Sequence, residues 1–270
     1  LSKGNIKHSG GHPPGEPGLY LQVSEHGMVG LFLYIIINGA ISVGESIFSR
    51  TELLIGREGI ERLKKSKVAI VGIGGVGSFT AEALARAGVG TLILVDDDII
   101  CPSNLNRQIH ALHSTIGLPK VDVMKNRILD INPDAKVVSI REFYSIKTTE
   151  NILTGHFDYI VDAIDSLMSK VNLIVNCKKL NIPIISAMGA GNKLDPTKFK
   201  VADISKTSVC PMARKIRKEL RKNGIDKGVK VVFSTEVPVK QQHPPGSISF
   251  VPSVMGLVIA GEVIRYLVRN

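Results

Sequence analysis

From Arg50 onward the chain alternates short apolar runs with amphipathic stretches. Leu53, Leu54, Ile60 and Leu63 recur at helical spacing over 51–65, and the run Val68-Ala-Ile-Val71 that follows reads as a buried strand. Residues 81–87 continue as a helix ended by Gly88 and Gly90, and Thr91-Leu-Ile-Leu-Val95 predicts the next strand, which finishes at Asp96-Asp97-Asp98. After this β-α-β unit the pattern predicts a helix over 120–129, an extended segment at 136–140, a short buried strand at Tyr159-Ile-Val-Asp162, a helix over 167–180 and a strand at Pro183-Ile-Ile-Ser186. Strands alternating with helices predict a doubly wound, mainly parallel α/β sheet. Beyond Gly189 the pattern loosens into a C-terminal α+β extension: a basic helix at 211–222, a strand at 230–235, a Pro/Gly loop over 238–246, and an apolar helix from Val254. Gly256, Gly261 and the short length of that last helix argue for core packing, against its own core or a partner subunit, rather than for a membrane span.

The start of the chain has another texture. Five glycines and three prolines fall in the first 18 residues, which disfavours regular structure, and the more apolar 19–43 reads as a strand pair or a docking segment. Residues 1–47 are therefore expected to be a flexible or loosely docked extension to a domain over 48–270. The apolar run Met28–Val43 is broken by Asn38-Gly39 and falls short of the roughly 20 residues of a membrane helix. Without a compact basic segment ahead of it, it does not read as a signal peptide either, so the expectation is a soluble, cytoplasmic protein with no membrane partner. The sequence starts with Leu, which leaves the true start open.

Composition narrows the classes. Across 270 residues, 44% hydrophobic and 21% charged usage excludes a collagen, a coiled-coil rod and a wholly disordered chain. The net charge of +10 favours polyanionic partners such as nucleic acid or nucleotides. Three cysteines, Cys101, Cys177 and Cys210, include no C-x-x-C pair, so they build neither a disulfide framework nor a four-cysteine zinc site.

The chemistry gathers at strand ends. Gly72-Ile-Gly74-Gly75-Val-Gly77 is a G-x-G-x-x-G loop between a predicted strand and a predicted helix, where backbone can approach a phosphate chain and the helix N-terminus supplies N–H donors. Asp96, some 20 residues on, stands where a ribose hydroxyl would be held. Alone, these features suggest NAD or FAD. Yet Ser103-Asn104-Leu105-Asn106-Arg107-Gln108 and Lys120 place two cations and several amides beyond the second strand, which suits a triphosphate with pyrophosphate leaving.

That ordered set, Asp96-Asp-Asp98, Asn104-Leu-Asn-Arg107-Gln108, Pro119-Lys120 and Asp162-Ala-Ile-Asp165, resembles the ubiquitin-activating enzyme superfamily of Rossmann-like adenylating proteins, from about Arg50 to Ser186. The resemblance implies ATP and magnesium (Mg2+) as cofactors, with a monovalent cation as a further candidate, and a homodimer. It assigns Arg50, Arg107 and Lys120 to the phosphates, Asp96 to the ribose and Asp165 to the metal. The glycine loop, Asp98, Asn104 and Gln108 become further nucleotide contacts, and Arg107, Lys120 and Asp165 the catalytic set. Ser166 stands where members often have Asn.

Within the superfamily the motifs Asn104-Leu-Asn-Arg-Gln-Ile-His-Ala-Leu112, Gly189-Ala-Gly191, Asp203-Ile-Ser-Lys206-Thr207 and Phe233-Ser-Thr-Glu236 are more similar to the bacterial tRNA threonylcarbamoyladenosine dehydratases. That family implies ATP-dependent cyclisation of threonylcarbamoyladenosine beside the tRNA anticodon, with AMP and pyrophosphate released. Residues 190–250 would face tRNA, and Lys206, Arg214, Lys215, Arg217, Lys218, Arg221 and Lys222, seven cations against Glu219 within 17 residues, would track its phosphates. Val231 stands where some members carry a cysteine for persulfide exchange, which argues against a sulfur-transfer partner. The alternatives are an adenylyltransferase for a small ubiquitin-like sulfur carrier, disfavoured by the missing zinc cysteines, an NAD-dependent oxidoreductase, disfavoured by Arg107 and Lys120, and a plain RNA-binding module. His110, His113 and Cys210 receive no role.

Overall fold

A strand covered by helices on both faces must be apolar on both, and the Val/Ile/Leu runs meet that demand at the centre of one seven-stranded sheet. In a computed structural model, which describes residues 46–239 and 245–269, the strands are β1 Lys67–Val71, β2 Thr91–Val95, β3 Lys136–Ile140, β4 Tyr159–Asp162, β5 Ile184–Ala187, β6 Phe199–Asp203 and β7 Lys230–Ser234. Their order is β3-β2-β1-β4-β5-β7-β6, parallel throughout except for β6, which runs antiparallel to β7 at one edge. The doubly wound, mainly parallel sheet expected from the alternation is thus the sheet that forms. The expectations for residues 1–45, and for the middle of the 238–246 loop, lie outside the described residues.

Alternation along each strand feeds two cores. Val68 and Ile70 of β1 join Leu92 and Leu94 of β2 on one face, under α2 (Gly77–Ala87), α3 (Lys120–Ile131) and α7 (Phe250–Arg269). Ala69 and Val71 join Ile93 and Val95 on the other, under α5 (Leu167–Lys179) and α6 (Pro211–Lys222). α1 (Ser49–Lys65) sends Leu63 into the first core, and the short α4 (Thr149–Ile152) sends Ile152 into the second. Successive strands are added outward on one side of β1 (β2, β3) and then on the other (β4, β5), all parallel, so a crevice opens at the carboxyl ends of the central strands where that order reverses.

Three details differ from the sequence pattern. α1 is not continuous: Gly56 takes φ 73°, a conformation open to glycine, and breaks it into two pieces. β6 was not expected, since its alternation of exposed and half-buried positions lacks the apolar run of a central strand. α7 begins at Phe250, four residues early, because Pro252 falls in the first turn, where its missing N–H removes no helical bond. At 20 residues α7 is long and apolar enough to cross a membrane, which corrects the expectation drawn from its length. Its apolar face is nevertheless in the core. The Thr80 hydroxyl donates to the Gly256 carbonyl at 3.1 Å, and a Cβ on Gly256 would lie 2.4 Å from the Val76 oxygen, so α7 lies directly on the first turn of α2.

Candidate active site

The crevice is a cleft of about 1060 Å³ that brings together the glycine loop, Asp96, Asp98, Asn104, Arg107, Gln108, Lys120 and Asp165, all singled out from the sequence. The glycines divide by function. Gly72 has φ 93°, and a Cβ there would sit 2.6 Å from the Ala163 oxygen, while one on Gly77 would sit 1.8 Å from the Gly72 oxygen. Those two let chain pass chain. Gly75 lies against Arg107 and Pro252, and only Gly74 of the four faces open space, so it alone leaves room for a ligand. No side chain caps α2 and no acid lies in its first turn, leaving N–H groups free for an anion.

Asp96 ends β2 and is fastened to the loop: its carboxylate accepts from Ile73 N–H at 2.6 Å and from Asp98 N–H at 2.9 Å. Burial pushes this carboxyl up, against the opposing pull of Lys120 and the two N–H groups. Lys120, buried in the first turn of α3, donates to Asp98 at 2.6 Å and stands 3.8 Å from Asp96. Asn104 ties the connecting turn by accepting from Cys101 N–H, and Arg107 is held by the Ser103 carbonyl and the Asn106 side chain, each at 2.8 Å. Gln108 lines the cleft with its Oε1 buried and unpartnered, an acceptor suited to an amine or hydroxyl of a ligand. Behind Lys120, His110 is buried with neither ring nitrogen bonded, and desolvation, aided by the charges of Lys120 and Arg127, pushes it down to about 4, so it stays neutral near pH 7.

Beneath the cleft lies a buried group that the sequence reading missed. Asp162, at the end of β4, accepts from Lys170 Nζ at 2.8 Å, from the Ser186 hydroxyl at 2.5 Å and from Ile164 N–H at 3.1 Å. Burial pushes the carboxyl up and the ammonium down, and their mutual attraction opposes both. The signal was available: Lys170 falls on the same helical stripe as Leu173, Ile174 and Cys177, an inward face. The pair holds the turn that carries Asp165, whose exposed carboxylate has no bonded partner among the described residues and opens onto the cleft. The loop after β5 adds Lys193, and the N-terminus of α6 adds Cys210 and Lys215, to the same cleft. None of these three was placed there from the sequence.

Arg50 is exposed on α1 and is not among the residues lining the cleft. The cations of α6 fan over the face opposite its buried Ala213, Ile216 and Leu220. Among the described residues Lys206, Arg214, Lys215 and Lys218 have no ionic partner, Arg221 lies 3.5 Å from Asp226, and Lys222 bonds Glu219 at 2.9 Å. Arg217 departs from the expected set: half-buried, it donates to the Thr207 carbonyl at 2.7 Å and to the Thr207 hydroxyl, so it fastens α6 to the preceding turn instead of facing solvent.

Comparison with known proteins adds to this geometry. A model of the ThiF family matches residues 48–270. The chain is 50% identical over 241 residues to the tRNA threonylcarbamoyladenosine dehydratase of Bacillus subtilis (strain 168), spanning 83% of this chain and 95% of that one. It is 41% identical over 202 residues to the enzyme of the same name from Escherichia coli (strain K12), spanning 72% and 75%. A crystal structure of E. coli tRNA N6-threonylcarbamoyladenosine dehydratase in complex with ATP aligns with a TM-score of 0.79 at 37% identity, over 82% of this chain and 93% of that one.

Proposed function

The chain belongs to the ThiF family, and on that premise we propose that it cyclises N6-threonylcarbamoyladenosine in tRNA, beside the anticodon, in an ATP-dependent dehydration. The observation that carries this reading is likeness to one such dehydratase over 95% of its length, with Gly72, Gly74, Gly75, Asp96, Asp98, Asn104, Arg107, Gln108, Lys120 and Asp165 gathered in one cleft. A carboxylate is a poor electrophile and must be activated. Its oxygen attacks the α-phosphorus of ATP and pyrophosphate leaves. A nucleophile of the carbamoyl group then attacks the acyl carbon and AMP leaves, so that one water is lost overall. Holding both ends of that ring closure in one bound substrate supplies much of the acceleration.

The residues take distinct parts in this scheme. The Gly74 gap and the free N–H groups of α2 receive phosphate, and Asp96 and Gln108 orient the nucleoside. Arg107 and Lys120 face the oxygens that gain charge as pyrophosphate leaves. Magnesium is commonly held by one or two carboxylates together with substrate phosphates, and the unbonded Asp165 carboxylate fits that donor set. When bound there, the metal would neutralise phosphate charge.

tRNA is read as lying on the free cations of α6, continuous with the cleft through Lys215. A cytoplasmic location fits that substrate. A homodimer is supported by Leu53 and Leu54 of α1, which are 79% and 86% exposed. Arg50 shares that helix, so its assignment to phosphate requires the cleft of a second protomer. The test is mass spectrometry of nucleosides from tRNA carrying threonylcarbamoyladenosine after incubation with the protein, ATP and magnesium. The expected result is ATP-dependent loss of the mass of one water with AMP formed. Intact nucleoside, with ATP consumed only when a carrier protein ending in Gly-Gly is added, would replace this reading with the carrier adenylyltransferase.

A further inference from the structure

Three lysines are buried in or beneath the cleft, and one of them is unlike the others. Lys120 has Asp98 at 2.6 Å and Lys170 has Asp162 at 2.8 Å. Lys193, only 4% exposed, has no carboxylate within ion-pair distance among the described residues. Two of its three N–H donors are taken by the carbonyls of Gly189, at 3.0 Å, and Gly191, at 3.4 Å. Cys210, in the same cleft, and more weakly Glu236 act on it through space, but neither is bonded to it, and the two Glu236 oxygens accept from Leu194 N–H and Asp195 N–H and so belong to the loop backbone. A buried cation without a counter-charge is costly, and a ligand that brings the counter-charge removes the cost.

The sheet order says which ligand. Along the cleft run Asp96 at the end of β2, the glycine loop at the end of β1, Asp165 beyond β4 and Lys193 beyond β5. In the reading proposed above, nucleotide groups take the first three places. Lys193 is on the far side of Asp165, toward Lys215 and the free cations of α6. Its loop is held in place: Asn192 N–H donates to the Gly246 carbonyl at 2.8 Å, and Gly246 N–H donates to the Asn192 side chain at 2.6 Å. We propose that the Lys193 ammonium receives the carboxylate of the threonylcarbamoyl group and presents it for adenylation, a specificity-determining role that rests on the dehydratase reading above.

The experiment compares the full-length wild type with Lys193→Met, Lys193→Gln and Lys193→Arg. The probes are ATP alone, tRNA carrying threonylcarbamoyladenosine, and the same tRNA with its carboxylate converted to the neutral amide. Lys193→Met is expected to bind ATP as the wild type does and to lose roughly tenfold to a hundredfold in affinity for the carboxylate form, the range for one charge-assisted hydrogen bond. Binding of the amide form should not change, so the variant no longer tells acid from amide, and Lys193→Arg should restore part of that discrimination. Lys193→Gln, which can still donate to the glycine carbonyls, gives the same reading if the Met variant does not fold. Discrimination kept at the wild-type level would overturn the proposal. So would a loss of ATP affinity matching the loss for tRNA, which would make Lys193 a phosphate ligand. Wild-type protein that removes no water from the modified tRNA would instead sink the dehydratase reading itself.

Discussion

The cations of the nucleotide half of the cleft and those of α6 have opposite surroundings. Lys120 is buried and paired with Asp98, and Arg107 is pinned by two acceptors. Arg214, Lys215 and Lys218 stand exposed without ionic partners among the described residues. Fixed charges in a partly dry site can oppose charge that develops at one atom, and they need little rearrangement to do so. Free charges in water are screened and interchangeable, and their effect on a polyanion is the sum of the counterions they release. In the function proposed above, chemistry and tRNA capture would be separated by burial as well as by place.

The sharpest way to break that contrast is to remove one charged group of the cleft. Asp165→Ala or Arg107→Ala should lower the rate of AMP formation by about a hundredfold to a thousandfold, with an unchanged melting temperature confirming that the fold is intact. Replacing Arg214, Lys215 and Lys218 together by Gln should act differently, making the plot of log affinity for tRNA against log salt shallower by about 2 to 3. An unaltered slope would remove α6 from the interface.

His110 connects the two themes, since it is kept neutral beside Lys120. Its folded value of about 4 lies below the ordinary 6.5, so the unfolded chain takes up the proton first as pH falls, and the stability due to the neutral imidazole is full above 6.5 and drains away down to about 4. At pH 5 that amounts to about 2 kcal/mol, which His110→Phe should abolish when denaturant midpoints at pH 7 and pH 5 are compared. The smallest effect tests the exception on α6: Arg217→Ala should cost about 1 kcal/mol of stability through its lost bonds to Thr207, while leaving the salt slope unchanged.

The central strands and the cleft residues of the nucleotide segment were legible because each sits in a local pattern: an apolar run, a glycine loop or an acid at a strand end. Features that depend on distant neighbours were not. β6 has only β7 beside it and needs no apolar run, so its sequence reads as loop. Nothing near Lys193 in sequence announces the strand ends that enclose it, whereas Lys170 is marked only by its place on the inward stripe of α5. Arg217 was counted with its neighbours since charge alone does not reveal that it bonds Thr207.

The seating of α7 on the first turn of α2 also bears on biosynthesis. Gly75 lies against Pro252, and Thr80 bonds Gly256, a partner 176 residues further along the chain. The glycine loop therefore emerges from the ribosome long before the wall behind it exists. At common elongation rates the interval is on the order of ten to thirty seconds. For that time the nascent chain has its first β-α-β unit without the helix that backs its glycine loop.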